Sequence, residues 1–329
     1  MKIWYDACTG KHIRYGMAIG KRLRKSGHEF IFTTREHPDT IPLAKILGEK
    51  PIVVGKYNPS TLSSRLEESA ERIIQFAKLF KGNPPDIAIA HQSVELCRAA
   101  FGLGIPIILT ADTPHALATN RLTIPFAHTI VVSEALPKSF TRKYCAQNVV
   151  SFKGVDEAAW IKGFKPTKIA GLKKPLVVVR QIEANAAYAQ GKQDHSKSMT
   201  EKLAKLGNVY LIERYNQQGG AFGVKDGLVD SANLVANADL VVSYGGTIAR
   251  EAALQGVPSI AISDMAKTYV NRYLAQKGFP LFITTEQGIF RYATKYLGKR
   301  FDVEEKLADL ENPVDVIEKV VENIKLRCC

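Results

Sequence analysis

The sequence predicts an α/β protein built from two doubly wound domains. Short apolar, β-branched runs alternate with helical patterns along all 329 residues, and glycine follows directly after several of the helical patterns. This alternation is typical of βαβ units, in which the strands are parallel and buried. With 46% apolar residues, the chain has enough core for about two domains of ordinary size.

The first half contains five runs that predict buried parallel strands. Helical patterns separate them, and glycines 27, 82 and 104 stand just past the ends of three of these patterns. The strand runs are residues 2–6, 29–33, 86–90, 106–110 and 128–133, and the helical patterns include residues 13–26, 64–81 and 92–103.

The second half repeats this order and ends in an amphipathic helix. Strands are predicted at residues 175–180, 208–213, 239–243, 258–262 and 281–284, with helices at 247–255 and 266–277. In the last helical pattern, 314–327, the apolar residues fall on one face, which must pack against another element.

Domain boundaries are predicted where the periodicity lapses. Small, basic and proline residues gather in the segment 163–175, which places a hinge near Lys168. We therefore expect a first domain at 1–168, a second at 169–312, and a terminal helix at 313–329 that packs back on the first domain.

Charge and cysteine usage exclude several classes of protein. The net charge is +13, and residues 1–170 hold 24 basic and 14 acidic side chains, which favours anionic partners. No apolar run approaches the roughly 18 residues of a membrane span, and the start has no signal-peptide pattern. The 5 cysteines lack any C-x-x-C spacing, so we expect neither disulfides nor a metal site, and a cytoplasmic location.

The most informative segment is 239–258, where a strand runs into a helix through a glycine pair. Gly245 and Gly246 allow the first-turn N–H groups and the helix dipole to meet an anion at close range. Ser243 and Thr247 flank the pair, and Glu251 lies about one turn inside the helix, within reach of a sugar hydroxyl.

This segment resembles the second domain of GT-B-fold enzymes that use UDP-sugars. It is similar to UDP-N-acetylglucosamine 2-epimerase and to the UDP-GlcNAc transferase of peptidoglycan synthesis. The resemblance implies two Rossmann-like domains facing a cleft, a diphosphate on the glycine turn, and a uridine ribose on Glu251. Over the whole chain, the sequence looks like a largely archaeal domain-of-unknown-function family, number 354, distantly related to the epimerase.

The loop after the first strand resembles the Thr-Gly-Gly-His loop of that transferase. Thr9, Gly10 and His12 match, whereas Lys11 replaces a glycine and adds a positive charge. The resemblance implies an acceptor or phosphate contact here, and His12 has the chemistry of either a general base or such a contact.

Three further loops resemble the epimerase. His91 and Asp112 follow two successive strands of the first half, but the epimerase's acidic residues are not matched in place, and Asp112 stands one residue away from the expected acid. The resemblance places His91 on the acceptor or phosphate side. Arg180 matches an arginine that binds the diphosphate, which suits the two-oxygen grip of a guanidinium.

Three hypotheses follow for the function. The first is a UDP-sugar-dependent glycosyltransferase with an acidic or lipid-phosphate-linked acceptor, in which His12 and Asp112 are catalytic. The second is a UDP-N-acetylhexosamine 2-epimerase, for which Asp112, Asp6 and Glu95 are the available carboxyl groups. The third is a non-catalytic nucleotide- or nucleic-acid-binding protein.

The expected partners follow from the first hypothesis. The nucleotide sugar is a substrate, and we expect no cofactor and no specific nucleic-acid contact, since no recognition motif is present. An acidic acceptor would meet the basic residues of the first domain, and a lipid-linked acceptor would place the protein at the membrane periphery. The basic residues concerned are Lys11, Arg14, Lys21, Arg22, Arg24, Lys25, Lys138, Arg142 and Lys143.

Overall fold

A computed structural model of the chain describes residues 1–181, 196–212, 230–244, 246–262 and 268–324. Contacts between Cα atoms divide the chain into two compact units, Met1–Trp160 together with Glu311–Cys329, and Ile161–Leu310. The division falls at Trp160, eight residues before the predicted boundary. No helix among the described residues is long and apolar enough to cross a membrane.

The first unit is built on a parallel sheet of seven strands in the order β3-β2-β1-β4-β5-β6-β7. The chain leaves β1 towards one edge and returns to β4 on its other side, so the direction of winding switches between β1 and β4. The carboxyl ends of strands at such a switch point form a crevice where ligands bind. The strands are β1 (Lys2–Ala7), β2 (Glu29–Glu36), β3 (Ile52–Lys56), β4 (Ile87–His91), β5 (Ile107–Ala111), β6 (Thr129–Ser133) and β7 (Val149–Phe152).

Helices connect these strands, and local sequence defines where the longer ones begin and end. The Thr9 side chain caps the first helix by accepting from the His12 amide, and Gly27 follows its end at φ +82°. A reciprocal capping box of Thr61 and Ser64 starts the third helix. The helices are α1 (Gly10–Lys25), α2 (Ile41–Ile46), α3 (Leu62–Leu79), α4 (Val94–Gly102), α5 (Leu117–Arg121), α6 (Lys138–Arg142) and α7 (Ala158–Ile161), with a 3-10 turn at Ile124–Phe126.

The second unit contains a parallel sheet of five strands in the order β12-β11-β10-β8-β9. Its switch point lies between β8 and β10. The strands are β8 (Leu176–Arg180), β9 (Asn208–Ile212), β10 (Leu240–Ser243), β11 (Ser259–Ile262) and β12 (Leu281–Thr284), and the helices are α8 (Ser196–Leu203), α9 (Ser231–Ala236), α10 (Thr247–Leu254), α11 (Tyr269–Gln276), α12 (Ile289–Tyr296) and α13 (Glu304–Asp309), with a 3-10 turn at Glu286–Gly288.

Both faces of the second sheet are covered, which explains its uninterrupted apolar strands. Val177 and Val179 pack into a core on one face, whereas Leu176 and Val178 pack into a core on the other. A strand buried on both faces has no polar side to alternate with.

The last helix, α14 (Pro313–Asn323), belongs to the first unit. Its apolar face, which includes Ile317 and Val321, is buried, and Glu318 accepts from Arg22 of α1 at 2.9 Å. The chain therefore returns to the first unit after completing the second.

Candidate active site

The carboxyl ends of four strands in the first unit meet around one lysine. Lys11 begins the helix after β1, and its Nζ lies 2.6 Å from Asp112 Oδ2, after β5, and 2.8 Å from Asp156 Oδ2, after β7. Glu157 Oε1 is 3.8 Å from the same nitrogen. His91, at the end of β4, completes the group, which we call the strand-end cluster: Lys11, His91, Asp112, Asp156 and Glu157.

His91 is buried and faces the two aspartates. Its Nδ1 lies 2.7 Å from Thr110 Oγ1, which orients the ring, and its Nε2 lies 3.6 Å from Asp112 Oδ1 and 3.9 Å from Asp156 Oδ2. Because the His91 side chain is only 3% exposed, it has little surface for a substrate.

Asp112 is the aspartate in this cluster that solvent reaches most. Its side chain is 12% exposed, against 4% for Asp156 and 0% for Glu157. The Thr113 hydroxyl also donates to Asp112 Oδ1 at 2.7 Å. Asn120, fully buried, holds the loop after Asp112 by donating to the carbonyls of Thr113 and Pro114 at 3.1 and 3.2 Å.

His12 lies beside the cluster as a neutral imidazole. Burial, then the neighbouring His91 and Lys11, lower the pKa of His12 well below its ordinary value. Its Nδ1 accepts from the Cys8 amide at 3.3 Å, so the proton of the neutral ring sits on Nε2. In this state His12 donates through Nε2, which fits a contact to a phosphate or hydroxyl oxygen better than the general-base role.

The lowered pKa of His12 predicts that the free energy of unfolding decreases as the pH is lowered. Below the ordinary pKa of about 6.5, the unfolded chain binds a proton that the folded chain excludes, so unfolding becomes easier as the pH drops. Urea unfolding at pH 7.5 and pH 5.5 should show a larger loss for the wild type than for His12→Asn. His128→Asn, at an exposed ring, is the control and should keep the wild-type loss. If wild type and His12→Asn lose the same stability between pH 7.5 and pH 5.5, His12 is not the neutral buried group responsible for the pH dependence.

The cluster also bears on metal binding. His91, Asp112 and Asp156 bring ligand-type atoms within 4.8 Å of one another. The Lys11 ammonium, however, lies within hydrogen-bond distance of both aspartates, so a metal ion would have to displace it. The sequence-based expectation of a reaction without a metal therefore stays a prediction, with Lys11 as the resident cation.

Two carboxyl groups proposed for epimerisation belong to a separate buried network. Arg72 of α3 lies 2.9 Å from Asp6 and 3.2 Å from Glu95. Asp6, fully buried, also accepts from the hydroxyls of Thr33 and Ser93 at 2.8 and 2.6 Å. With its oxygens engaged in this way, Asp6 supports the strand ends and is not available to a sugar, which corrects the sequence-based interpretation.

Three arginines of the predicted basic surface are buried or paired with carboxylates. Arg14 is buried, Arg22 pairs with Asp315 and Glu318 of α14, and Arg24 pairs with Glu49 at 2.6 Å. Arg22 and Arg24 thus connect α1 to α14 and to Glu49, and their side chains stay 36% and 41% exposed. The assignment of this face to an acidic acceptor stays a prediction.

In the second unit, four of the predicted nucleotide ligands lie at the ends of β8 and β10 and at the start of α10. Ser243, at the end of β10, pairs in register with Arg180, at the end of β8. Gly246 caps α10 at φ +97°, a conformation that favours glycine, and a Cβ there would meet nothing within 4 Å among the described residues. The N-terminus of α10, at Thr247, therefore lies close to the carboxyl end of β10. Gly245 lies outside the described residues.

Glu251 is fully buried on α10. Its Oε2 accepts from the Ser231 hydroxyl of α9 at 2.8 Å, which ties the two helices together. The assignment of Glu251 to a ribose stays a prediction, and the observed contact gives it a packing role as well.

Asp156 and Glu157 were missed by sequence reasoning. They follow β7, a four-residue edge strand with alternating exposure that carries no continuous apolar run. The available signal was the Gly154-Val-Asp-Glu sequence after a β-branched pair, which would mark a strand end once β7 is recognised.

Comparison with known proteins places the chain in a family. The family described as protein of unknown function (DUF354) matches residues 1–325. The chain belongs to this family. A relative, the uncharacterized protein MJ0665 of Methanocaldococcus jannaschii, is 31% identical over 99% of both chains.

Solved structures show the same two-domain fold. A UDP-N-acetylglucosamine 2-epimerase homologue from Listeria monocytogenes superimposes with a TM-score of 0.68 at 14% identity, covering 98% of this chain and 97% of its own. The spinosyn rhamnosyltransferase SpnG gives 0.62 at 14% identity, covering 98% and 100%. The DUF354 protein therefore has the GT-B fold of nucleotide-sugar epimerases and glycosyltransferases.

Proposed function

We propose that this DUF354 protein is a glycosyltransferase that uses a UDP-sugar. The donor diphosphate is assigned to the second unit, at Arg180, Ser243, Gly246 and Thr247, where an arginine, a hydroxyl and the N–H groups of a helix end converge. The acceptor hydroxyl is assigned to the first unit, at Asp112.

The observation that carries the proposal is the arrangement of carboxylates in the strand-end cluster. Only Asp112 among the three acids has appreciable exposure. Lys11 holds it by an ion pair, and His91 Nε2 lies 3.6 Å from its Oδ1. A transferase needs one base to take the acceptor proton as the sugar–oxygen bond forms and UDP leaves. Lys11 keeps the developing charge balanced and positions Asp112 without touching the substrate.

A second candidate function, 2-epimerisation, is supported by Asp156 as a second carboxylate. An epimerase eliminates UDP and adds it back, and needs carboxyl groups to exchange the proton on carbon two of the sugar. Asp156 shares Lys11 with Asp112, so two carboxylates do meet at one place. Because the Asp156 side chain is only 4% exposed, a sugar would reach it less easily than Asp112, and we rank this function second.

Isotope exchange distinguishes the two reactions. Incubation with UDP-N-acetylglucosamine in deuterated water should place no deuterium on sugar carbon two, while an added acceptor should receive the sugar. We expect Asp112→Asn to lower transfer about 100-fold or more, in the range of a lost general base. Asp86→Asn, which removes a carboxylate that accepts from the Lys2 amide at the amino end of β1, is the matched control and should remain active.

Incorporation of deuterium that Asp112→Asn abolishes would replace the transferase proposal with epimerisation. Nucleotide binding with neither exchange nor transfer, across UDP-, GDP-, CDP- and dTDP-sugars, would favour the non-catalytic hypothesis.

The charge of the protein bears on the class of acceptor. The excess of basic residues favours an acidic or lipid-phosphate-linked acceptor, and a lipid-linked acceptor requires the protein to work at a membrane surface.

A further inference from the structure

One segment of the second unit combines basic and aromatic residues. Residues 287–301 contain four arginines and lysines and no aspartate or glutamate. Three of these cations, with an exposed phenylalanine, lie on or just after α12. We call this set the α12 surface: Phe290, Arg291, Lys295 and Lys299.

The rings beneath this surface form a rigid stack. Phe282 of β12 lies parallel to Tyr296, with centroids 4.0 Å apart and an interplanar angle of 8°. Tyr292 stacks on Phe282 at 5.7 Å, and Phe301 closes the group at 6.0 Å from Tyr296. Tyr292 also packs against the core of the second unit, which anchors the stack.

The cations lie over these rings and remain exposed. Arg291 is 5.3 Å from the centroid of Tyr292, and Lys295 and Lys299 are 5.1 and 5.5 Å from that of Tyr296. In the described part of the chain, no carboxylate forms an ion pair with any of the three. Each cation is thus held in place by a ring while its charge faces solvent.

These features match an anionic lipid surface. Cations fixed on one face attract anionic headgroups, and Phe290, 46% exposed beside them, offers apolar area to the acyl boundary. A single-stranded nucleic acid needs free ring faces for its bases to stack on. Here the ring faces are covered by one another and by the cations, which disfavours that partner.

We propose that the α12 surface binds anionic phospholipid membranes and holds the second unit against them. None of the four residues of the α12 surface is assigned to the strand-end cluster or to the nucleotide ligands. The proposal complements a lipid-linked acceptor but does not depend on nucleotide-sugar chemistry.

Sedimentation with lipid vesicles tests the proposal on the full chain. Wild-type protein should bind vesicles of phosphatidylcholine mixed with phosphatidylglycerol and should not bind pure phosphatidylcholine. The triple variant Arg291→Gln, Lys295→Gln, Lys299→Gln should bind about 100-fold more weakly, as expected for three charges near an anionic surface. Phe290→Ser should weaken binding in salt that suppresses the electrostatic part.

The matched control removes the same charge elsewhere. Lys50, Lys78 and Lys81 are exposed, and their change to glutamine should leave vesicle affinity within a few-fold of wild type. An equal loss in this control would show attraction by net charge alone and overturn the proposal. Wild-type protein that ignores the anionic vesicles, or that binds a poly-dT oligonucleotide through the α12 surface instead, would also overturn it.

Two readouts separate this proposal from the proposed function. The triple variant should keep the wild-type melting temperature and its shift with UDP, which shows that it folds and retains the nucleotide site. Vesicle binding by wild type without any UDP effect would sustain the membrane surface and count against the transferase.

Discussion

Replacing Arg72 with methionine is expected to lower the free energy of unfolding by about 3–5 kcal/mol, the range measured when one partner of a buried ion pair is removed. Arg72 is 1% exposed and lies between Asp6 and Glu95. Although burial acts to lower the pKa of Arg72, the nearby Asp6, Cys8 and Glu95 raise it above its ordinary value, so the guanidinium is charged at every accessible pH.

Methionine fills most of the arginine's volume but leaves the Asp6 carboxylate buried without its cation. Urea unfolding of Arg72→Met should therefore show a large fall in midpoint. Adding Asp6→Asn to this variant should recover part of the loss, because it removes the stranded charge. Arg24→Met is the control, since its pair with Glu49 is exposed and is expected to be worth at most about 1 kcal/mol. Similar losses for Arg72→Met and Arg24→Met would contradict a structural role for the buried network.

Lys11→Met is the second change with a large expected effect, and it acts on both activity and stability. Asp112 and Asp156 would then face each other without the ammonium that now lies 2.6 and 2.8 Å away. We expect a loss of about 3 kcal/mol in the free energy of unfolding and a strong loss of sugar transfer.

The double variant Lys11→Met, Asp156→Asn should regain stability, because one repelling charge is gone, while the Asp112 carboxylate, 12% exposed, is kept. Lys56→Met supplies the control, since its 3.4 Å pair with Glu68 has a lysine side chain 61% exposed. Full stability of Lys11→Met at neutral pH would mean that the lysine does not hold the cluster together.

The sequence predicted the central strands of both sheets and not the edges of the first. Central strands such as β4 and β10 are buried on both faces and read as unbroken apolar runs. The edge strands β3 and β7 are only four or five residues long and are partly exposed, so their pattern is too short to stand out from a loop. Missing β7 also hid the acids that follow it.

The site was predictable where a residue follows a recognised strand. Arg180 and Ser243 are adjacent because parallel register brings their strand ends together, and Asp112 reaches Lys11 for the same reason. What the sequence could not show is how far each carboxylate is buried and which cation it meets. Asp6 and Asp112 look alike as residues at strand ends. Asp6 is fully buried against Arg72, 66 residues away along the chain, whereas Asp112 keeps 12% of its side chain exposed beside Lys11.

The nucleotide site proposed for the second unit is tested most directly by the melting temperature of the protein with and without UDP. A ligand that binds only the folded state adds about 2.7 kcal/mol at a hundredfold excess over its dissociation constant, so wild-type protein should melt at a clearly higher temperature. Gly246→Ala, at φ +97°, should abolish the shift, whereas Gly171→Ala, also at a positive φ (+80°) but outside the β10–α10 turn, should retain it. If millimolar UDP leaves the wild-type melting temperature unchanged, or if Gly246→Ala keeps the full shift, the nucleotide site does not lie at the β10–α10 turn.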